Sequence, residues 1–382
     1  MPQLSTPSLA LVREVQAGQS LRPFMDLSWT INGSDPNWIP PLRMSLATAL
    51  DRDRHPFHRH ADVAYFVAER EGRPVGRIAA IVNHLHNEFH ADRTGFFGLF
   101  ECEDDPNTAA ALFDAARAWL ADREMTEMRG PVNLSTNDEI SSPGILIEGF
   151  DSPPSIMMSH NPPYYGRLHD SAGFAKCKDV LAFLLDQPEA PPERGMQLID
   201  RILARQNVTI RALDLKNFRR DIDALKEVYN AAWSGNWGFV PMTDEEFEHL
   251  AKEFRPIVEP ELCLIAEAGS EPVGFYLALP NINEAFRHLP NGRLLPFGWV
   301  KLLWYKRKLR GIRVLTAGFK PRFHRAGIGP AFYRRAWDAG VRKGYDNGEA
   351  SWVLEDNHAM IRAMEGMGGK PYKRYRIYER EL

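Results

Sequence analysis

The sequence predicts a mixed α/β protein, with an α+β type of mixed sheet, that consists of two tandem domains of the same design. Three observations carry this prediction. Strand-like and helix-like segments follow each other in the same order in both halves. Ala68–Gly76 matches Ala266–Gly274 at an offset of 198 residues, and Gly173–Lys178 matches Gly368–Lys373 at an offset of 195 residues. Repetition of this kind indicates a duplicated unit.

A cluster of proline and acidic residues, Gln187–Glu193, lies between the halves and cannot continue a strand. The amphipathic stretch Met196–Arg205 follows it and predicts a helix. We therefore expect a first domain over residues 1–186, a linker with a connecting helix over residues 187–206, and a second domain over residues 207–382.

Each half begins with a strand–turn–strand pattern, after which a strand, a helix and another strand follow. In the first half these segments are Val63–Glu69, Gly76–Val82, Gly95–Glu101, Thr108–Arg123 and Met128–Val132. In the second half they are Leu262–Glu267, Gly274–Leu279, Ile312–Phe319, Ala331–Arg342 and Ala350–Leu354, with a further helix and strand at His358–Met367 and Tyr372–Glu379.

A basic loop with the glycine pair Gly327 and Gly329 joins the strand Ile312–Phe319 to the helix that follows it. Glycines let the backbone approach a pyrophosphate, and the free N–H groups and dipole of a helix N-terminus attract the anion. A glycine pair alone often only permits tight packing, so the elements after it decide between the two interpretations. Here the glycine loop and its helix are followed by a strand, then by Asn357 and a second helix, and then by a final aromatic strand.

This order of elements resembles the coenzyme A half of the GNAT superfamily of N-acyltransferases over the last third of the chain. The family's loop, Gln/Arg-x-x-Gly-x-Gly/Ala, is matched by His324–Gly329, with histidine in the first position. The resemblance implies that acyl-coenzyme A is the co-substrate and that the strand end and the loop bind it. The residues concerned are Thr316, Gly318, Phe319, Arg322, His324, Arg325, Ala326, Gly327, Ile328, Gly329 and Asn357.

A second departure from the family pattern concerns the tyrosine that often protonates the leaving thiolate. Met364 stands in its place. The resemblance therefore implies that this role is lost or has moved, with Tyr333, Tyr372 and Tyr375 as alternatives.

The first half has no glycine loop after its equivalent strand. Four carboxylates stand there instead: Glu101, Glu103, Asp104 and Asp105. Carboxylates near a helix N-terminus satisfy the helix dipole themselves and repel phosphate. We therefore expect a degenerate GNAT-like domain that binds no coenzyme A and completes the acceptor site.

In GNAT-like folds the acceptor lies between the splayed middle strands, under the first two helices. The corresponding region of the second half is Asp221–Phe254, which contains an aromatic segment interrupted by glycines. These side chains either pack in the core or cover a hydrophobic substrate. The candidate residues are Trp233, Asn236, Trp237 and Phe239.

Polar residues also follow the strand Met128–Val132, at the end of a strand where open α/β sheets tend to place ligands. The alternative is ordinary loop chemistry, with Asn161 as a helix cap. The run Met128–Gly173 looks like a little-studied bacterial family of two-domain GNAT-like proteins. Its members resemble N-acyltransferases of long-chain amines, including bacterial ceramide synthases. The candidate substrate-binding residues here are Asn137, Tyr164 and Tyr165.

Transfer to an amine needs a base, because amines are protonated at neutral pH. The candidates are Glu355, Asp138, Glu139 and His160. No metal is expected.

Histidines form two further groups. His84, His86, Glu88 and His90 share one face if Ile78–His90 is a strand, which offers a base or a metal site, although exposed strand edges have the same pattern. A proline-containing loop carries the others, which we expect to be solvated: His55, His58 and His60.

Composition restricts the cellular setting. The net charge of −3 gives no general attraction to nucleic acid. Neither a signal peptide nor an apolar run long enough for a membrane span is recognisable, so we expect a cytoplasmic protein. The segment Leu294–Arg310 is basic, aromatic and aliphatic, which predicts either contact with the inner face of a membrane or an amphipathic helix over the sheet.

The sequence thus predicts an acyl-coenzyme A-dependent N-acyltransferase whose acceptor is a lipid-like amine, such as a long-chain sphingoid-type amine. Two alternatives stay open. One is an aminoacyl-tRNA-dependent transferase, which needs local cationic density for RNA. The other is a non-catalytic, membrane-associated binding module that keeps the fold.

Overall fold

The computed structural model describes residues 9–186, 193–324 and 326–382. The chain divides into two compact units. The first contains Met1–Asp179, Leu289–Gly298 and Tyr375–Leu382, and the second contains Val180–His288 and Trp299–Arg374. The proline and acid cluster at 187–192 and the predicted cofactor contact Arg325 lie outside the described residues. The domain boundaries expected from the sequence stay a prediction.

The first unit holds six complete strands, five helices and the start of a seventh strand, counted over its described residues. The strands are β1 (Leu11–Glu14), β2 (Ala61–Arg70), β3 (Arg73–Asn83), β4 (Thr94–Cys102), β5 (Glu127–Gly130), β6 (Ile145–Glu148) and β7 (Ala175–Asp186). The helices are α1 (Arg22–Asn32), α2 (Arg43–Ala49), α3 (His84–His90), α4 (Pro106–Ala121) and α5 (Tyr165–Ser171).

The second unit holds the remaining elements of the described chain. The helices are α6 (Glu193–Arg205), α7 (Phe218–Trp233), α8 (Asp244–Phe254), α9 (Asn283–Phe286), α10 (Gly298–Lys306), α11 (Ile328–Lys343) and α12 (His358–Gly366). The strands are β8 (Val208–Ala212), β9 (Cys263–Ala268), β10 (Glu271–Pro280), β11 (Gly311–Phe319), β12 (Asn347–Leu354) and β13 (Lys370–Glu381), whose last residues belong to the first unit.

Both units have the same strand order and the same pattern of directions. The first has the order β1-β2-β3-β4-β5-β13, and the second has the order β8-β9-β10-β11-β12-β7. In each, the fourth and fifth strands are parallel and the other neighbours are antiparallel. The last strand of each order comes from the other half of the sequence: Tyr378–Glu381 pairs with β5, and Val180–Asp186 pairs with β12.

Strand β2 shows why these segments are strands. Successive side chains of a strand point to opposite faces. Val63, Tyr65 and Val67 pack in a core with residues of α1 and α2, whereas the residues between them pack in a second core with α4 and α5. Because both faces are covered, β2 reads as an unbroken apolar run. The hairpins predicted in both halves are confirmed.

The cores of the second unit are arranged similarly. One cluster joins β9 and β10 to α11 and α6, and it includes Ala278, Val314 and Phe332. Another joins Phe275 to α7 residues on the opposite face of the sheet. The sheet of the second unit is therefore covered by α11 on one face and by α7 on the other.

The fourth strand of each sheet carries a bulge. In β4 one extra residue lies between the pairs Ala79–Gly98 and Arg77–Glu101, and Leu99 there has a φ of 51°. In β11 the extra residue is Leu315, because Leu277 pairs with Thr316 and Ala278 pairs with Val314. A bulge at the same strand in both units re-aims the backbone groups around it.

Three local predictions are wrong. A shared face for His84, His86, Glu88 and His90 depends on a strand over Ile78–His90, but β3 ends at Asn83, whose side chain accepts a hydrogen bond from the backbone of His86 and starts α3. The four residues placed on one strand face therefore lie on a short helix. Asn161 does not cap α5; its side chain bonds both backbone groups of Leu146. His55 is buried rather than solvated, and His58 and His60 are half-buried.

Candidate functional site

Strands β11 and β12 separate part-way along the sheet of the second unit. Among the described residues, their pairing runs from Gly311–Asn347 to Val314–Ala350, whereas β12 continues to pair with β7 as far as Leu354. The second half of β11 therefore diverges from β12. We call the gap between Leu315–Phe319 and Ser351–Leu354 the fork. The bulge at Leu315 lies at its closed end.

Cross-strand pairs place side chains on the same face of a sheet. Thr316 and Gly318 pair with Leu277 and Phe275, both of which pack with α7. Both residues therefore face α7, whereas Val314 and Ala317 pack on the α11 side. The Oγ1 atom of Thr316 is buried and has no hydrogen-bond partner within the described chain. A buried hydroxyl without a partner marks a place where a bound group would be stabilised.

Gly318 lies directly under Trp233. A Cβ atom at Gly318 would come within 2.8 Å of the indole Nε1 and 3.1 Å of the side chain of Ala232. The missing side chain thus lets the last turn of α7 approach β11. Trp233 stacks on Tyr229 with 5.8 Å between ring centroids, so the indole is held beside the fork by its own helix.

The other predicted aromatic residues occupy the loop after α7. Phe239 is buried, and its ring packs against Tyr229. Asn236 is exposed and Trp237 is half-buried. Of this set, Trp233 is the residue whose position beside β11 suits a substrate contact.

The glycine loop forms the N-terminus of α11, a helix of 16 residues. Gly327 has a φ of 75°, a left-handed conformation that favours glycine, and it starts the helix without a side-chain cap within the described residues. The first N–H groups of α11 are therefore available to an anion. Gly329 has ordinary backbone angles, and a Cβ atom there would only touch the ring of Phe319 at 3.6 Å.

The side chains around this loop differ in what they offer. Ala326 and Ile328 are buried in the core, so only their backbone groups can face a ligand. Arg322 forms an ion pair with Glu271, which also accepts a hydrogen bond from Lys320 at 2.8 Å. The ring of His324 lies against Phe319. Asn357 caps α12 by accepting a hydrogen bond from the backbone of Met360.

A buried polar network that the sequence did not reveal spans β11 and β12 just before the fork. Arg313 donates from Nε to the hydroxyl of Ser351 at 2.8 Å and lies 3.6 Å from Glu349. The Glu349 carboxylate accepts hydrogen bonds from Ser351 and from Tyr372. Arg313, Glu349 and Ser351 are each less than 5 % exposed. The network fixes the two strands at the point from which they diverge.

The corresponding position in the first unit is filled by the chain itself. After the pair Phe96–Arg129, the backbone N–H of Val132 bonds to the carbonyl of Phe97 at 2.7 Å. The side chain of Asn133 then accepts a hydrogen bond from the N–H of Leu99, at the bulge of β4. A Cβ atom at Gly98 would lie 2.2 Å from the carbonyl oxygen of Val132. The backbone of residues 132 and 133 thus occupies the gap.

Carboxylates occupy the start of α4, as the sequence suggested. Asp105 caps the helix by accepting a hydrogen bond from the backbone of Asn107, and its other oxygen is bonded by Thr108. Arg70 pairs with Asp105 and, at 3.2 Å, with Glu103. The dipole and the carboxylates are therefore satisfied internally.

Two predicted substrate contacts in the first unit, Tyr164 and Tyr165, form hydrogen bonds with the end of β4. The hydroxyl of Tyr165 donates to Glu101 at 2.7 Å and accepts from the backbone of Cys102, and its ring is fully buried. Tyr164 donates to the carbonyl of Cys102. Both tyrosines hold the end of β4 against α5. That either tyrosine contacts a substrate stays a prediction.

The candidate bases fall in two places of the first unit and one of the second. The imidazole Nε2 of His55 lies 3.5 Å from Asp138 and 3.4 Å from Glu139; His55 and Asp138 are buried, and Glu139 is half-buried. His160 lies 2.9 Å from Asp35. Burial alone would raise the pKa of Asp35, but hydrogen bonds from Asn37 and His160 outweigh it and lower that pKa.

Two predicted residues remain. Asn137 is buried, and its backbone N–H bonds to the hydroxyl of Ser135. Glu355 is half-buried in the turn after β12, where the fork opens.

Helix α10 projects apolar side chains into solvent. Trp299, Val300, Leu303 and Trp304 are exposed and share one helical face, whereas Tyr305 stacks on His288 with 3.6 Å between ring centroids. Within the described parts of the chain, no helix is both long and apolar enough to cross a lipid bilayer.

Comparison with known proteins gives a consistent result. The chain is 40% identical to the bacterial ceramide synthase of Caulobacter vibrioides (strain NA1000 / CB15N) over 390 aligned residues, which cover 100% of both chains. It is 37% identical to Protein YghO of Escherichia coli (strain K12) over 97% of this chain and 95% of that protein. No protein-family model matches the sequence.

Among solved structures, a tandem GNAT protein from the clavulanic acid biosynthesis pathway superposes with a TM-score of 0.57 and 13% identity. The match covers 97% of this chain and 98% of that chain. At this identity the likeness shows the fold alone: two tandem GNAT-like domains with mixed α/β sheets, as the sequence predicted.

Proposed function

This chain belongs to the two-domain GNAT-like N-acyltransferase family of the Caulobacter vibrioides bacterial ceramide synthase, and from that membership we propose that it transfers an acyl group from acyl-coenzyme A to a long-chain amine. The chain is thus an acyltransferase, and the identity of its acceptor amine is part of the proposal. A sphingoid-type amine leads because the name of the relative, which is 40% identical, specifies ceramide. The amine nitrogen attacks the thioester carbon, and coenzyme A leaves as the thiol.

The observation that carries the donor assignment is the contrast between the two units. The second unit combines a fork at the bulge of β11 with an uncapped helix N-terminus at Gly327. The first unit fills its gap with Val132 and Asn133 and caps its helix with Asp105. We therefore assign acyl-coenzyme A to the second unit, with the pyrophosphate at residues 327–329 and the acyl thioester in the fork.

The chemistry required of the fork is positioning and charge stabilisation. The bulge at Leu315 interrupts the regular pairing of β11 with β10 beside the fork. We propose that backbone N–H groups at this bulge hold the thioester oxygen as it becomes negative. Thr316, with its buried hydroxyl, faces the α7 side from which an amine would approach. Holding amine and thioester together accounts for a large share of the rate enhancement in such transfers.

The ammonium group of the acceptor must lose a proton before it can attack. Glu355, which follows the open part of β12, is the candidate base in the second unit. Asp138 and Glu139 beside His55, and His160 beside Asp35, remain candidates in the first unit. Each of these four is a proposal that the acceptor complex would test.

A lipid-like acceptor also suggests where the protein works. The exposed face of α10 and the basic residues around it have the chemistry of a segment that lies in a membrane interface. We propose a cytoplasmic protein that contacts the inner face of the membrane through residues 294–310 and takes its amine from there.

The donor assignment can be tested by calorimetric binding of coenzyme A and palmitoyl-coenzyme A to the wild type, Gly329→Glu and Gly329→Ala. Gly329 suits this test better than Gly327, whose left-handed backbone would be strained by any side chain. A carboxylate in the first turn of α11 is compatible with the helix dipole but repels a phosphate. We expect binding to the wild type and to Gly329→Ala and at least tenfold weaker binding to Gly329→Glu.

If all three proteins bind coenzyme A with equal affinity, the nucleotide does not bind at this loop. Absence of binding to the wild type would remove acyl-coenzyme A as donor and favour a carrier-protein or tRNA-linked donor, or a non-catalytic binding module. With binding established, an amine screen that starts from sphinganine would identify the acceptor.

A further inference from the structure

Tyr333 lies on α11, one turn beyond the proposed pyrophosphate site. Its ring packs against a cluster that includes Ala350 and Val353 of β12 and Met364 of α12. Ala350 is the last residue of β12 that pairs with β11, and Val353 lies in the part of β12 that borders the fork. Tyr333 therefore belongs to the helix that would hold the nucleotide, and its ring lies against the strand that would flank the thioester.

The hydroxyl of Tyr333 is buried and has no hydrogen-bond partner among the residues that the structure describes. A buried hydroxyl without a partner loses its hydrogen bonds to water and gains none in return, which destabilises the folded chain. Native proteins rarely keep such groups unless a ligand, a water or a reaction uses them.

The other tyrosines of this region are committed elsewhere. Tyr372 donates its hydroxyl hydrogen to Glu349 in the buried network. Tyr375 belongs to the first unit and is fully buried. Met364 has no proton to give.

Thioester aminolysis expels a thiolate, and a proton delivered to sulfur as the C–S bond breaks makes it a better leaving group. We propose that Tyr333 is the catalytic residue that protonates the leaving coenzyme A thiolate. This inference rests on the proposed function, since it requires a coenzyme A thioester in the fork.

The proton balance of the step closes. The amine nitrogen forms the new C–N bond, the C–S bond breaks, and its electron pair leaves on sulfur. The phenol proton of Tyr333 moves to sulfur, and the phenolate regains a proton from water. The acceptor ammonium loses two protons in all, and one proton is taken up on sulfur, so that each turnover releases one proton to solvent.

The environment of Tyr333 suits an acid. Burial raises the pKa of its phenol, so the group is protonated at neutral pH and has a proton to give. Among the described residues, its hydroxyl has no hydrogen-bond partner that would have to be displaced before it donates its proton.

The test compares wild type, Tyr333→Phe and Tyr345→Phe with two donors, acyl-coenzyme A and the matching acyl-seleno-coenzyme A. The selenoester keeps every contact of the nucleotide, but its selenolate is a far weaker base and leaves without a proton. For Tyr333→Phe we expect about a 100-fold loss of kcat with the thioester, a loss of less than about tenfold with the selenoester, and a Kd for coenzyme A within twofold of wild type. Phenylalanine keeps the ring packing, and Tyr345→Phe removes a phenol elsewhere in the second unit as a control.

A full thioester rate in Tyr333→Phe would overturn the assignment. An equal loss with both donors would do the same, because it would indicate a packing role. If the wild type turns over neither donor, the proposed function is wrong, and the role assigned to Tyr333, which rests on it, is wrong as well. If Tyr345→Phe behaves like Tyr333→Phe, the effect is not specific to this hydroxyl and the assignment is wrong.

Discussion

The side-chain oxygen of Asn133 lies 2.8 Å from the backbone nitrogen of Leu99, the bulged residue of β4. In the second unit the bulge at Leu315 borders the fork, where we place the thioester oxygen. The first unit thus satisfies its own bulge with an amide oxygen, in the place where the second unit would receive a ligand carbonyl. This relationship is consistent with our proposal that the fold is kept twice while only one copy binds the donor.

The filled gap of the first unit requires glycine at position 98. We expect Gly98→Ala to lower the free energy of unfolding by about 1–3 kcal/mol or more, because the new methyl group would overlap the carbonyl oxygen of Val132. Thermal and urea unfolding followed by circular dichroism would measure this. Gly195→Ala, on α6 with open space around it, is the control and should be neutral or slightly stabilising. A Gly98→Ala variant as stable as wild type would contradict the filled gap.

The Arg313–Glu349 network should behave as a unit. Glu349→Ala would leave the buried guanidinium of Arg313 without its counter-charge, and we expect a loss of about 3–5 kcal/mol in the free energy of unfolding. Arg313→Met combined with Glu349→Met should recover most of that loss, because neither charge is then buried. Arg342→Ala, which breaks an exposed pair with Glu261, should cost less than about 1 kcal/mol. A double variant that is destabilised as much as Glu349→Ala, or more, would contradict the coupling of Arg313 with Glu349.

The strands and helices around the proposed donor site could be predicted because their apolar periodicity is local. The hairpins, β11, α11 and β12 appear within a few residues of their predicted bounds. Alternation alone did not reveal the helix after β3, which the side chain of Asn83 starts. The exchange of β7 and β13 between the two strand orders is a pairing between distant segments, which periodicity does not reveal.

The site was harder to predict than the fold. The glycine loop was visible as a motif, whereas Arg313 is far in sequence from Glu349 and Ser351, and the three residues form no motif. Register alone places them on one face. The motif around Tyr165 suggests a substrate contact but does not reveal that the tyrosine hydroxyl donates a hydrogen bond to Glu101. A signal that could have revealed the network is a pair of charged residues inside two otherwise apolar strand segments.

Stability should fall in acid through His169. Burial lowers the pKa of this histidine from 6.5 to about 4. The unfolded chain therefore binds a proton below about pH 6.5 while the folded chain does not, so stability present at pH 7 is lost as the pH falls toward 4. We expect His169→Phe to reduce the decrease in unfolding free energy between pH 7 and pH 5 by about 2 kcal/mol. His358→Gln, at an exposed histidine, should leave the profile unchanged, and an unchanged profile in His169→Phe would refute the assignment.

Trp233 should influence which acyl chains are accepted. Its indole lies on Gly318 at the α7 side of the fork, so Trp233→Ala would open space beside the thioester. We expect the optimum of kcat/KM over a series of acyl-coenzyme A chain lengths to shift, with the Kd of coenzyme A unchanged. Trp119→Ala, in the first unit, is the control. A loss of kcat/KM by the same factor for every chain would instead indicate damage to the fold.

Helix α10 should bind lipid surfaces through its exposed apolar face. Trp299→Ser combined with Leu303→Ser and Trp304→Ser removes most of that face, and none of these side chains is buried. Because each large apolar side chain gains about 1.5–3 kcal/mol on full burial, we expect the triple variant to bind vesicles at least tenfold more weakly.

The measurement is sedimentation with vesicles of phosphatidylglycerol and phosphatidylcholine at low and high salt. Wild type should bind the anionic vesicles more tightly and lose part of that binding at high salt, because Lys301 and Arg307 lie next to the apolar face. Val341→Ser, at another exposed apolar residue of the second unit, should bind as wild type does. Wild type that stays in the supernatant with both vesicles would remove the membrane contact. If wild type binds neither vesicle, we also expect the triple variant to keep its full activity on a soluble short-chain amine.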